Sequence, residues 1–276
     1  MRTFTSRWLW MGLFLVAGLL HGLPGAAFAD ETANEDAAIE LVHPGTLTVC
    51  THMPYKPFEF VGDDRELVGF DVDLARMLAD RLGVDMQIID IGWNQITSGL
   101  VFAAGKCDVA MGGATITPKR AEAVLFSDPY FSATQALLTK KGAGIHSLAD
   151  LEGKQLGAET ATTGLIYARK HADEYGYEVV IYADTALQTN SVSAGNVPAV
   201  IQDNTVVAAY AQTHPETVVA AELDTGERYG FMAKRDDANA ARLIDLFNTA
   251  LAEAQADSRY EHMLGKWFPG LGDSAK

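Results

Sequence analysis

The stretch Thr115-Ile-Thr-Pro-Lys-Arg120 holds the residues best suited to chemistry. Thr117 is a good helix N-cap and Pro118 suits the first helical position, so a helix is expected to begin just behind Gly112-Gly113. The free N–H groups and partial positive charge of such an end attract an anion. Arg120, in the first turn, opposes the helix dipole. A carboxylate gripped by the N–H groups and by the guanidinium fork would account for it. A surface arginine on a capped helix would have the same sequence.

Three further places carry polar or aromatic groups at the ends of expected strands. Glu159-Thr-Ala-Thr-Thr-Gly164 is a small, Thr-rich turn whose N–H groups would cradle a second anion. An ordinary strand-to-helix turn reads the same way. Asp203 closes the run Ala199-Val-Ile-Gln202 and is placed to meet an ammonium group at the crevice of an open α/β sheet, or simply to cap the next helix. His52-Met-Pro-Tyr-Lys-Pro-Phe-Glu-Phe60 is a stiff loop in which Tyr55 can stack on a ligand, with Phe58 and Phe60 as core. Trp93 is a second candidate wall, or a core residue. Sequences for a nucleophile elbow, a zincin helix, a Walker loop or a dinucleotide fingerprint are absent. The seven histidines show no metal-ligand spacing. The chemistry expected is therefore that of grasping an anion and not of breaking a bond, with no catalytic residue, no metal and no cofactor.

The elements that position these groups alternate. Thr46–Thr51 reads as a strand. Leu74, Leu78 and Leu82 mark a helix ended by Gly83, and Met86–Ile91 is a strand. Ile96, Leu100 and Ala103 predict one helix, and Asp108–Met111 a strand. The order restarts with strands at 155–158, 179–182, 199–202 and 217–221, and helices at 164–175, 185–194 and 205–212. A polar connection at 137–144 separates the two halves. Near the C-terminus, 229–233 reads as a strand and 238–256 as a long helix. This β-α-β order predicts two units, each a mostly parallel sheet flanked by helices.

A net charge of −15 argues against nucleic acid and anionic lipid as partners. Arg2 and Arg7, the apolar run Trp8–Leu20 and Ala27-Phe-Ala29 form a three-part leader, expected to be cleaved after Ala29 and to deliver the chain to a periplasm. Residues 30–41 read as a flexible N-terminal arm.

Gly69-Phe-Asp-Val-Asp-Leu-Ala-Arg-Met-Leu-Ala-Asp-Arg-Leu82 resembles the signature of bacterial solute-binding proteins family 3, the amino-acid receptors of ABC importers. Pro57-Phe-Glu-Phe60, Gly105-Lys-Cys-Asp108, Thr115–Arg120, Phe126-Ser-Asp-Pro-Tyr130, Leu148-Ala-Asp-Leu-Glu-Gly-Lys154 and Lys266-Trp-Phe268 extend the likeness to nearly the whole mature chain. The resemblance implies a type II periplasmic-binding-protein clamshell. One lobe spans 42–132 and 228–276, the other 133–227, and two hinge strands join them. It implies that Arg120 clamps a ligand α-carboxylate with help from Thr115, Thr162 and Thr163. The Gly113 carbonyl and Asp203 meet the ammonium group, and Tyr55 covers the ligand. It further implies a monomer that hands its amino acid to a membrane permease. Ala161 and Thr163 stand where the family often has glycine. His52 stands where receptors for cationic or amide ligands often have an acid, which tilts the expectation toward a polar or acidic amino acid. Two other readings share these features: a cyclohexadienyl or arogenate dehydratase-like enzyme on the same fold, with Glu159 or His52 as the acid, and an exported sensory domain.

An even cysteine count in an exported protein suggests a bridge. With the crevice ends of their strands level, however, Cys50 and Cys107 would sit about four residues, or ~13 Å, out of register. That exceeds the ~7 Å limit between Cα atoms, so no bridge is expected.

Overall fold

The computed structural model describes residues 39–269. The leader, its cleavage site and all but the last three residues of the arm expected at 30–41 lie outside the described residues. At the end of that arm, Ile39 and Leu41 pack on the core, and Glu40 exchanges hydrogen bonds with the Asn239 side chain.

The chain runs β1 (Thr46–Thr51), β2 (Phe60–Val61), β3 (Leu67–Val68), α1 (Phe70–Leu82), β4 (Asp85–Asp90), α2 (Trp93–Thr97), α3 (Leu100–Ala103), β5 (Val109–Ala110), α4 (Pro118–Ala121), β6 (Val124–Phe126) and β7 (Phe131–Lys140). It continues with β8 (Gln155–Glu159), α5 (Thr163–Tyr175), β9 (Glu178–Tyr182), α6 (Thr185–Ala194), β10 (Ala199–Asp203), α7 (Asn204–Thr213), β11 (Thr217–Tyr229), β12 (Met232–Lys234), α8 (Ala238–Ala256) and α9 (Arg259–Trp267).

Two five-stranded sheets result, ordered β4-β1-β5-β12-β6 and β11-β7-β10-β8-β9. In each, three neighbouring strands are parallel and the remaining pairings are antiparallel. The period-2 alternation of strands decides what each face buries. Leu47 and Val49 of β1 join the core beneath α1 and α8, while Cys50 faces the one around Trp93, Ile96 and Phe102. In the second sheet Leu137, Leu156 and Ile201 pack under α5, while Leu138 and Val200 pack against Val192 and Val207.

The largest departure from the sequence reading is at the join. The first half of the expected loop at 137–144 lies within β7, and the expected short strand at 217–221 runs on to Tyr229. These two long strands pair antiparallel, from Thr217 opposite Lys140 to Tyr229 opposite Phe131. Phe131 and Tyr229 are buried in the first core and Leu137 in the second, so the pair carries the chain from one core to the other. The single helix expected from Ile96 to Ala103 is broken in two. Gly99 sits at φ +76°, where a Cβ would lie 2.7 Å from the Ala123 carbonyl oxygen.

Cys50 and Cys107 are bridged, with Cα atoms 5.8 Å apart. The expectation of free thiols failed because it treated residues 107–110 as fully extended strand. Cys50 lies opposite Ala110, and β5 begins only at Val109. Gly105 turns the chain at φ +60°. The Asp108 carboxylate accepts the Thr48 and Val42 N–H groups and folds that turn back onto β1.

Candidate functional site

The crevice ends of β1, β5, β8 and β10 converge on one cavity lined by His52, Tyr55, Trp93, Gly112, Gly113, Thr115, Arg120, Glu159, Thr162, Thr163, Gln202 and Asp203. All nine residues singled out in the sequence line it. The space they enclose is about 20 Å³, room for roughly one water. An amino acid enters this arrangement only if the two sheets part.

Thr117 caps α4 through its side chain, which accepts the Arg120 N–H at 3.1 Å. That places Arg120 in the first turn, pointing inward. Its guanidinium is buried, lies 5.4 Å from the Trp93 ring centre, and donates to the carbonyls of Thr115 (2.9 Å) and Ala161 (3.1 Å). The second of these bonds crosses from the first sheet to the turn before α5. Burial pulls the guanidinium below its ordinary pKa, and Asp203 and Glu227 pull it back. Trp93 thus serves as wall and core together. Ala161 holds φ +61° without being glycine. Thr162 caps α5, accepting the Leu165 N–H at 3.1 Å and donating to the Glu159 carbonyl at 2.7 Å.

Gly112 and Gly113 carry φ values of +135° and +56°. Both N–H groups donate to the buried Asp71 carboxylate at 3.0 Å, which also accepts the Tyr130 hydroxyl. Asp71 belongs to the sequence signature and acts here from behind the site, fixing this turn. A Cβ on Gly113 would lie 2.8 Å from the Tyr55 ring.

Asp203, at the end of β10, accepts the hydroxyls of Tyr55 and Tyr229 on one oxygen and the Gln135 amide on the other. Burial, then the neighbouring Glu227, push its carboxyl up to about 7. Glu159 is buried at the end of β8. Its Oε2 accepts from Thr185 (2.6 Å) and Gln202 (3.0 Å), and burial pushes it up to about 7 as well. His52 sits between two acids, with Nε2 3.7 Å from Glu159 Oε1 and Nδ1 3.8 Å from Asp90.

Sequence reasoning missed Glu227, Gln135, Gln202 and Tyr229. Glu227 Oε2 accepts the hydroxyls of Thr115 (2.6 Å) and Thr163 (3.0 Å), while Oε1 accepts from Gln135 (3.0 Å) and Thr225 (3.3 Å). Gln135 and Glu227 come from the two long strands at the join, whose extent the sequence did not reveal. Gln202, next to Asp203 at a strand end, was the one with a readable signal.

The chain matches the family model described as bacterial extracellular solute-binding proteins, family 3, over residues 47–270. It belongs to that family. It is 32% identical over 219 residues to the ABC transporter arginine-binding protein 1 of Escherichia coli (strain K12), covering 78% of this chain and 87% of that one. The structure of an ancestral arginine-binding protein bound to arginine superposes with a TM-score of 0.75 at 36% identity, covering 81% of this chain and 98% of that one. An ancestral amino-acid-binding protein described as a precursor of cyclohexadienyl dehydratase matches at TM-score 0.72 and 32% identity, over 81% of this chain and 95% of that one. The family member described here thus has the two-lobed, type II periplasmic-binding-protein fold, with β7 and β11 as its hinge strands. Among the described residues no helix is long and apolar enough to cross a membrane.

Proposed function

We propose that this chain is an exported receptor that binds a free L-amino acid between two lobes, 42–132 with 228–276 and 133–227, and delivers it to an ABC permease. One observation carries the reading. A buried arginine in α4 and a buried aspartate at the end of β10 face the same cavity, the charge pattern of a zwitterion's two ends. Arg120 takes the α-carboxylate with the N–H groups of Thr115 and the α5 turn. Asp203 and the Gly113 carbonyl take the ammonium group, and Tyr55 and Trp93 wall the side chain. Charge-assisted contacts to both ends stabilise the closed form only when ligand bridges the lobes. The receptor works as a monomer in the periplasm after cleavage at Ala29, and makes and breaks no covalent bond.

The test is a thermal-shift screen of the purified protein against the twenty amino acids, arogenate and prephenate. A ligand held only by the native state raises stability by about 4 kcal/mol at a thousandfold excess over its Kd. A clear shift with one or a few amino acids, lost in Arg120→Ala and in Asp203→Ala, supports the receptor. Turnover of arogenate or prephenate, with no shift from any amino acid, replaces it with an enzyme of the kind named beside the dehydratase precursor.

A further inference from the structure

We propose that the side-chain end of the cavity, built on Glu159, selects an amino acid whose side chain carries a positive charge. This rests on the amino-acid receptor reading above and names the ligand class for that same site.

Three carboxylates line or back the cavity, Glu159, Asp203 and Glu227, each 6% exposed or less. One guanidinium, Arg120, faces them. A zwitterion with a neutral side chain adds no net charge and leaves the acids in excess. An acidic side chain deepens the excess, and a cationic one offsets it. Buried charge is tolerated only when paired, so the site discriminates in that order.

Both oxygens of Glu227 are occupied by the hydroxyls and amide described above. Asp203, the acid assigned to the ammonium group, already accepts Tyr55, Tyr229 and Gln135 on its two oxygens, which leaves it no place for a side-chain donor as well. On Glu159, Thr185 and Gln202 both donate to Oε2. Glu159 lines the cavity, no hydrogen-bond donor among the described residues reaches its Oε1, and His52 Nε2 lies 3.7 Å from that oxygen. That ring nitrogen is itself buried without a hydrogen-bond partner. A carboxylate 97% buried, anchored on one oxygen and open on the other, is shaped to receive a donor that brings its own charge.

Tyr55 and Trp93 present aromatic surface, which suits the stem and head of a basic side chain. His52, weighed alone, pointed toward a polar or acidic ligand. The fold sets Glu159 directly against it and reverses the local charge.

The test uses protein expressed from the full chain and purified from the periplasm, titrated calorimetrically with L-arginine, L-lysine, L-glutamine and L-glutamate. The expected result is a basic amino acid bound at least tenfold more tightly than L-glutamine. Glu159→Gln should then lose at least tenfold for the basic ligand and change the L-glutamine Kd less than threefold. Basic-ligand binding near pH 6.5 should also release more protons in the wild type than in the variant, because the ligand draws Glu159 as well as Asp203 toward its charged form. A neutral or acidic amino acid as the tightest ligand, or an unchanged Kd in Glu159→Gln, overturns the inference and leaves the receptor standing. Binding of no amino acid at all overturns both. The wild-type ranking decides the matter even if the variant folds poorly.

Discussion

Breaking the Cys50–Cys107 bond should destabilise the protein by about 4 kcal/mol while leaving ligand affinity nearly unchanged. The two residues are 57 apart in sequence. Closing a loop of that length in the unfolded chain removes about 14 cal/mol/K of entropy, or about 4 kcal/mol at 25 °C. For a chain of this size each kcal/mol moves the melting temperature roughly 2–4 °C, so a fall of roughly 8–16 °C is expected. The bond ties the crevice end of β1 to the turn before β5, the two chains that lead into the Tyr55 loop and the Gly112-Gly113 turn. Neither sulfur lines the cavity, so Kd should stay within about threefold. Two comparisons separate the cross-link from its volume. Reduced wild type keeps both sulfurs among Trp93, Ile96 and Phe102, whereas Cys50→Ala with Cys107→Ala also opens a void there. The assay is thermal melting followed by circular dichroism, with thiols counted on unfolded protein. Two free thiols in the unreduced protein, or a fall below about 3 °C on verified reduction, would refute the reasoning.

Further outcomes follow from the buried acids and the glycine turn. Asp203 and Glu159 are pushed up to about 7 and Asp71 to about 6 by burial, so the folded state holds their protons more tightly than the unfolded chain. Their contribution is fully present below about pH 4 and is lost as pH rises toward 7; it is worth about 4 kcal/mol for Asp203 alone. Asp203→Asn should therefore flatten the decline in melting temperature between pH 5 and 8, and parallel profiles for variant and wild type would argue against this. A basic ligand should bind more tightly as pH rises from 5 to about 7. Across that range Glu159, with His52 3.7 Å from its Oε1 and Asp184 and Asp203 the acids acting on it, loses its proton. Affinity that falls over the same range would refute it. Gly113→Ala should lower affinity at least tenfold and cost about 1–3 kcal/mol, because φ is +56° and the new Cβ meets Tyr55 at 2.8 Å. Gly142→Ala is the control, with φ +78° and nothing within 4 Å. Equal affinities in the two variants would mean that the clash is immaterial.

Local chemistry was legible wherever short-range rules decide it. The Thr117-Pro118 start of α4, the Gly83 stop of α1, and the acid closing β10 each depend on neighbours a few residues away. The alternation of strand and helix announced two α/β units, and the motif order announced the family. What the sequence left open depends on chain segments far apart. The hinge was misread because β7 and β11 lack an uninterrupted apolar run; their partners are each other, some 80 residues away. Glu227 and Gln135 became site residues only through that pairing. The disulfide was misjudged because its geometry depends on a turn held by Asp108 against β1, not on strand spacing. His52 alone suggested one ligand class. Tertiary structure set Glu159 beside it and Asp203 beneath Tyr55, and in a buried site it is the sum of such distant charges, each stripped of water, that decides what binds.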